Sequence, residues 1–99
     1  MTETEKEMDS IVFIGGKPFM NYVTAVVMQL TTKKTDRVVI KARGKFISRA
    51  VDVAEVSCKK FLDNAFEVSK IIIDSADFKN QQDKDVRVST IELVIDRKS

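Results

Sequence analysis

The apolar residues of this chain fall into blocks that alternate between strand and helix periods. Residues 10–14 form a short apolar run closed by Gly15 and Gly16, the pattern of a buried strand ending in a tight turn. Pro18 then lacks an N–H and has φ preset near −65°, which suits the first turn of a helix. After it, Phe19, Val23, Val26, Val27 and Leu30 recur at helical spacing. A polar stretch at 31–36 interrupts that helix, and the β-branched run at 37–42 predicts a second strand.

A turn at Arg43, Gly44 and Lys45 leads into a second amphipathic stripe of Ile47, Ala50, Val51, Ala54, Cys58, Phe61 and Leu62. Asp52 and Glu55 lie off that stripe, and Glu55 to Lys59 is a favourable i, i+4 pair on a solvated face. Two longer strands are expected at 67–75 and 86–97, with the polar residues 76–85 as their loop. The order is β-α-β-α-β-β. It predicts a two-layer α/β (α+β) sandwich of one four-stranded sheet and two helices on one face. The last two strands are longer than so small a body needs, so their hairpin is expected to protrude as an arm.

With 99 residues the chain has room for one domain, here 10–99, preceded by an acidic lead-in at 1–9 that reads as disordered. Hydrophobic residues at 43% and charged residues at 32% suit a folded globule. No run of about 18 apolar residues and no basic leader is present, so neither a membrane span nor export is expected. One cysteine, Cys58, and no histidine leave out internal disulfides, zinc sites and His-based catalysis. No cofactor is expected.

The net charge of +2 is unevenly divided. Four acids against Lys6 give the lead-in −3, so the body carries +5, and residues 33–49 hold seven cations against Asp36. That density points to a polyanion, although a small protein also needs solvated surface charge. Lys17 precedes a helix N-terminus, where free N–H groups and the dipole favour an anion, so Lys17 is the leading phosphate ligand. Arg43 and Lys45 flank Gly44 at the start of the second helix, and Lys41 and Arg49 border them.

Three segments carry a specific resemblance. Gly15-Gly-Lys-Pro-Phe-Met-Asn-Tyr-Val23, Val39-Ile-Lys-Ala-Arg-Gly-Lys-Phe-Ile-Ser-Arg-Ala-Val-Asp52 and Arg87-Val-Ser-Thr-Ile-Glu92 resemble, in order and separation, the signature segments of the Alba family of small archaeal chromatin and RNA-binding proteins. The resemblance covers roughly residues 10–97. It implies a cytoplasmic, chromosome-associated homodimer that binds double-stranded DNA and also RNA without catalysis. Eukaryotic relatives include protein subunits of ribonuclease P, which makes RNA folding, stabilisation or processing the second reading.

The resemblance also puts Asn21 and Tyr22 on the binding face. Asn21 can reach phosphate, sugar or a base edge, and Tyr22 reads equally as a stacking ring or a core aromatic with a wet hydroxyl. Phe46 and Phe61 are candidates for exposed apolar contact. Family members use an aromatic near the position of Phe61 between dimers on DNA, while its place on the helical stripe equally suits core or dimer packing. On the arm, Lys79, Lys84 and Arg87 are the cations expected along a groove.

Two departures from the family weaken this picture of a coating protein. A lysine often found at the position of Gly16, whose acetylation is linked to weaker DNA binding, is absent. The arm holds Asp74, Asp77, Asp83 and Asp85 against only three cations, whereas a groove-entering arm is normally basic. Weaker or more selective DNA binding is therefore expected, with the acidic lead-in competing for the basic face. Asn80, Gln81 and Gln82 read as a polar turn. The same four aspartates suggest a Mg²⁺ nuclease site, which a loop without a nearby fixed base disfavours.

Overall fold

The computed structural model describes residues 10–33 and 35–98. The acidic lead-in, Lys34 and Ser99 lie outside the described residues, and so does the expectation of a disordered tail. The elements are β1 (Ser10–Phe13), α1 (Phe19–Thr31), β2 (Arg37–Arg43), a 3₁₀ turn (Gly44–Phe46), α2 (Ile47–Val56), a π-helical turn (Ser57–Phe61), β3 (Phe66–Lys79) and β4 (Asp85–Arg97). The element order is the expected β-α-β-α-β-β, and the one four-stranded sheet has the strand order β1-β2-β4-β3. β1 and β2 are parallel, while β2–β4 and β3–β4 are antiparallel.

The core lies between one face of the sheet and the two helices. Val38, Ile40 and Ala42 of β2 and Ile91, Leu93 and Ile95 of β4 meet Tyr22, Val23, Val26 and Leu30 of α1 and Ala50, Val53 and Ala54 of α2. Alternation along β2 sends Lys41 and Arg43 to the opposite face. The first apolar run is not buried on both sides. Val12 and Ile14 are buried, whereas Ile11 and Phe13 are exposed, because β1 is an edge strand and no helix covers that face.

The stripe of the second helix is also rotated from expectation. Val53 is in the core while Val51 and Phe61 are exposed. The wider π turn at 57–61 shifts the phase, so that Cys58 and Leu62, four apart, stay inside and Phe61 swings out.

Half of the expected loop at 76–85 is strand. β3 continues to Lys79 and β4 begins at Asp85, leaving a turn at 80–84. Alanine, aspartate and lysine are poor strand formers, but here cross-strand pairs override propensity. Asp77 faces Arg87 with Oδ1 3.0 Å from Nε, and Lys79 Nζ lies 2.8 Å from Asp85 Oδ1. Asn80 closes the turn: its side-chain oxygen accepts the N–H groups of Gln82 and Lys84 at 2.9 and 3.1 Å. β2 pairs with β4 only as far as Thr90, so the five residue pairs from Ser75–Ser89 to Lys79–Asp85 stand as a two-stranded arm. The Cα radius of gyration of 14.8 Å exceeds the roughly 13 Å of a compact chain of this length, as an arm requires.

Candidate nucleic-acid interface

Parallel pairing puts the carboxyl ends of β1 and β2 on the same edge of the sheet, and each strand there leads into a helix. The loop carrying Lys17 follows β1, and the turn carrying Arg43, Gly44 and Lys45 follows β2. In open α/β sheets, ligands bind at such carboxyl edges. The Ile14 N–H donates to the Lys41 carbonyl at 2.9 Å, which continues the ladder past β1 and holds the first loop against β2.

Tyr22 and Arg49 fix the shape of the first loop. Tyr22 is 8% exposed, and its hydroxyl accepts the N–H groups of both Gly15 and Lys17 at 3.0 Å. The Arg49 guanidinium lies 5.8 Å from the Tyr22 ring centre and donates from Nη1 to the Gly15 carbonyl at 2.9 Å. Of the two readings of Tyr22, the structure takes the core aromatic, with its hydroxyl on backbone rather than water, and Arg49 borders the basic loops while turned onto the first of them. The Tyr22 ring is buried and its hydroxyl is occupied by backbone, so it offers no free stacking face. Arg49 is half-buried and spans from α2 to the loop.

Lys17 and Asn21 remain exposed at the start of α1. Pro18 is the N-cap with φ −55° and ψ 140° and makes no side-chain cap bond. The Asn21 N–H donates to the Pro18 carbonyl at 3.0 Å, and the remaining N–H groups at a helix start, which have no acceptor one turn back, favour an anion.

On the second loop, Gly44 has φ +58°, and a Cβ there would come within 3.2 Å of Val88 Cγ2. The left-handed backbone and the close approach of Val88 together favour glycine in this tight exit from β2 beside the arm. Lys45 is exposed, with its ammonium 5.4 Å from the Phe46 ring centre, and Arg43 lies 5.9 Å from the Phe78 ring centre on the arm. The 3₁₀ turn separates this loop from the start of α2 at Ile47, so the second helix end is set back from Arg43 and Lys45. Lys41 Nζ is 3.6 Å from Glu92, its cross-strand neighbour.

The structure thus brings Lys17, Asn21, Arg43, Gly44 and Lys45 to one edge, with Lys41 bordering them on the uncovered face of the sheet. It does not bring the arm cations into the same group. Lys79 and Arg87 are held by Asp85 and Asp77, and Lys84 lies in the exposed turn at the tip. Among the described residues, no group of three or more His, Cys, Asp or Glu side chains is placed to hold a metal ion.

Residues 10–75 match the family model described as Alba. The chain belongs to the Alba family. It is 43% identical over 89 residues to the DNA/RNA-binding protein Alba of Picrophilus torridus, covering 90% of this chain and 97% of that one. It is 41% identical over 88 residues to the DNA/RNA-binding protein Alba of Methanococcus maripaludis, covering 89% of this chain and 98% of that one. The solved structure of Alba from Thermoplasma volcanium superposes with a TM-score of 0.81 at 41% identity, covering 89% of this chain and all of that one. ALBA1 from Trypanosoma brucei, at 22% identity and TM-score 0.70 over 93% of this chain and 72% of that one, shares the fold. No described helix is long and apolar enough to cross a membrane.

The work of Tyr22 and Arg49 is not visible in the sequence. Arg49 reaches the Gly15 carbonyl across 34 residues. The Tyr22 hydroxyl, though near in the chain, meets Gly15 and Lys17 through a loop shape that no local pattern encodes. The exposure of Phe13 is not visible either, since an unbroken apolar run carries no sign of which sheet face is covered.

Proposed function

We propose that this Alba-family chain binds nucleic acid without catalysis, as a homodimer on double-stranded DNA at the chromosome. The observation that carries this reading is the single edge on which two loops, both following parallel strands, present Lys17 and the Arg43–Lys45 pair. Phosphates along one strand of a duplex meet those side chains and the first-turn N–H groups of α1, and each cation engaged releases a condensed counterion. The names of the relatives, DNA/RNA-binding protein Alba, support nucleic acid as the ligand.

Dimerisation is supported by an apolar face beside the arm. Ile71 and Ile73 of β3 are 61% and 76% exposed on the helix side of the sheet, Ile47 lines a groove with Ile73, and Val51 lies one turn further along α2. Contiguous exposed isoleucines next to an open strand edge fit a second copy of the chain. The arms of the pair then reach along the duplex.

RNA is the second reading, favoured by the paired charges of the arm, which weaken its attraction to a DNA groove. A titration of the protein with a DNA duplex of about 30 base pairs and an RNA duplex of equal length, each at low and near-physiological salt, tests both. DNA binding in the micromolar range or tighter that falls steeply with salt is expected. A clear RNA preference would shift the role to RNA folding or processing, and binding to neither would overturn the reading.

A further inference from the structure

We propose that a groove at the carboxyl end of β1 and β2, walled by Phe13 and Phe46, takes an unpaired nucleobase of a single-stranded segment. This site deepens the nucleic-acid reading and rests on it. Phe13 is 69% exposed, the most exposed phenylalanine among those described. It stands on the uncovered face of the sheet, opposite Lys41 in the β1–β2 register. Phe13 and Phe46 line one cavity of about 510 Å³ together with Lys41, Arg43 and Glu92.

The chemistry of that lining selects its occupant. An aromatic ring left open to water loses apolar burial and offers a flat face, which every base matches and which is sequence-tolerant. Cations rim the same groove, with Lys45 over the far wall at Phe46, so the occupant is flat and apolar in its body and anionic along its flank. A nucleobase on its phosphodiester has that form. A duplex does not offer it, because paired bases hide their faces in the stack. The Glu92 carboxylate, held beside Lys41, accepts hydrogen bonds and suits a base with an exocyclic amino group. A second copy fits less well, since a self-complementary contact there would bring two sets of cations together.

The test is to titrate the wild type, Phe13→Ala, Phe13→Leu and Phe13→Trp with a 12-nucleotide oligoadenylate, the matching oligodeoxyadenylate and a DNA duplex of about 30 base pairs. Phe13 is too exposed for its truncation to unfold the chain, and circular dichroism and sizing check this. Phe13→Ala and Phe13→Leu are expected to weaken single-strand binding by about fivefold or more, Phe13→Trp to retain it, and duplex binding to stay within about twofold. A loss confined to the ribose strand, or equal on both single strands, supports the site and reports whether the 2′-hydroxyl counts. Equal losses on duplex and single strands would overturn it, because Phe13 would then belong to the duplex surface. Unchanged single-strand affinity, or a loss of self-association in its place, would overturn it also. Failure of the wild type to bind the duplex would count against the proposed function, while the comparison among the Phe13 variants still reads the groove.

Discussion

Gly16 and Gly44 sit in the two loops of the basic edge and differ in what they demand. Gly44 is fixed by its left-handed backbone and by the approach of Val88. Gly16 has nothing within 4 Å of where a Cβ would stand, so it accepts a side chain beside Lys17 without repacking. Gly16→Lys is therefore expected to add a phosphate contact, steepening the dependence of log K on log salt by about one unit per contact while leaving the melting temperature unchanged. An unchanged salt slope would place this loop away from the phosphates. At the same scale, Lys17, Arg43 and Lys45 were legible because glycine, proline and clustered cations are local signals. The clamp of Tyr22 and Arg49 on residues 15–17 was not, because it exists only once α1 and α2 are packed.

At the level of elements, the arm and the bulge in β3 each have a measurable consequence. The Asp77–Arg87 and Lys79–Asp85 pairs occupy arm cations that would otherwise be open to phosphate. Exposed pairs of this kind add little to stability, so Asp85→Asn should fold normally and bind duplex DNA more tightly. That gain is expected to disappear in Lys79→Gln/Asp85→Asn, and a gain that survives without Lys79 would reduce the effect to general charge. Ser69 lies at the register shift between Val68 and Lys70, and its hydroxyl donates to Asp96, which also receives Arg37 Nε at 2.8 Å. The Ser69 hydrogen bond, with Arg37 adding to it, holds the Asp96 carboxyl below its ordinary range. Because the folded value is lowered, this contribution is present above the unfolded value near 4 and is lost as pH falls through the folded one. In Ser69→Ala the Asp96 carbon resonance is expected to titrate closer to an ordinary aspartate, and an unmoved midpoint would deny the bond its role. The sequence pattern placed every element but stopped β3 short, since alternating Asp77 and Lys79 read as loop until Arg87 and Asp85 stand opposite them. It also put Phe61 on the α2 stripe with Cys58 and Leu62, which are buried, because an extra residue in a helical turn leaves no mark in composition.

For the whole molecule, the same asymmetry separates two surfaces: a basic edge at the loop end of the parallel strands and an apolar face along β3 and α2. Ile73→Asp, at a position 76% exposed, is expected to leave the fold intact and yield a monomer in sizing with light scattering. A dimer that persists would move the interface elsewhere. Element order and sheet class followed from periodicity, whereas this division of surfaces depended on strand order, which sends β3 to one edge and β1 to the other. The central claim is that the loops after β1 and β2 hold the phosphates, and the most direct measurement is the salt slope of duplex binding for the wild type and for Lys17→Ala/Arg43→Ala. The slope is expected to flatten by about one unit for each phosphate contact removed, equally for unrelated DNA sequences. A double variant with the wild-type slope and affinity would contradict it.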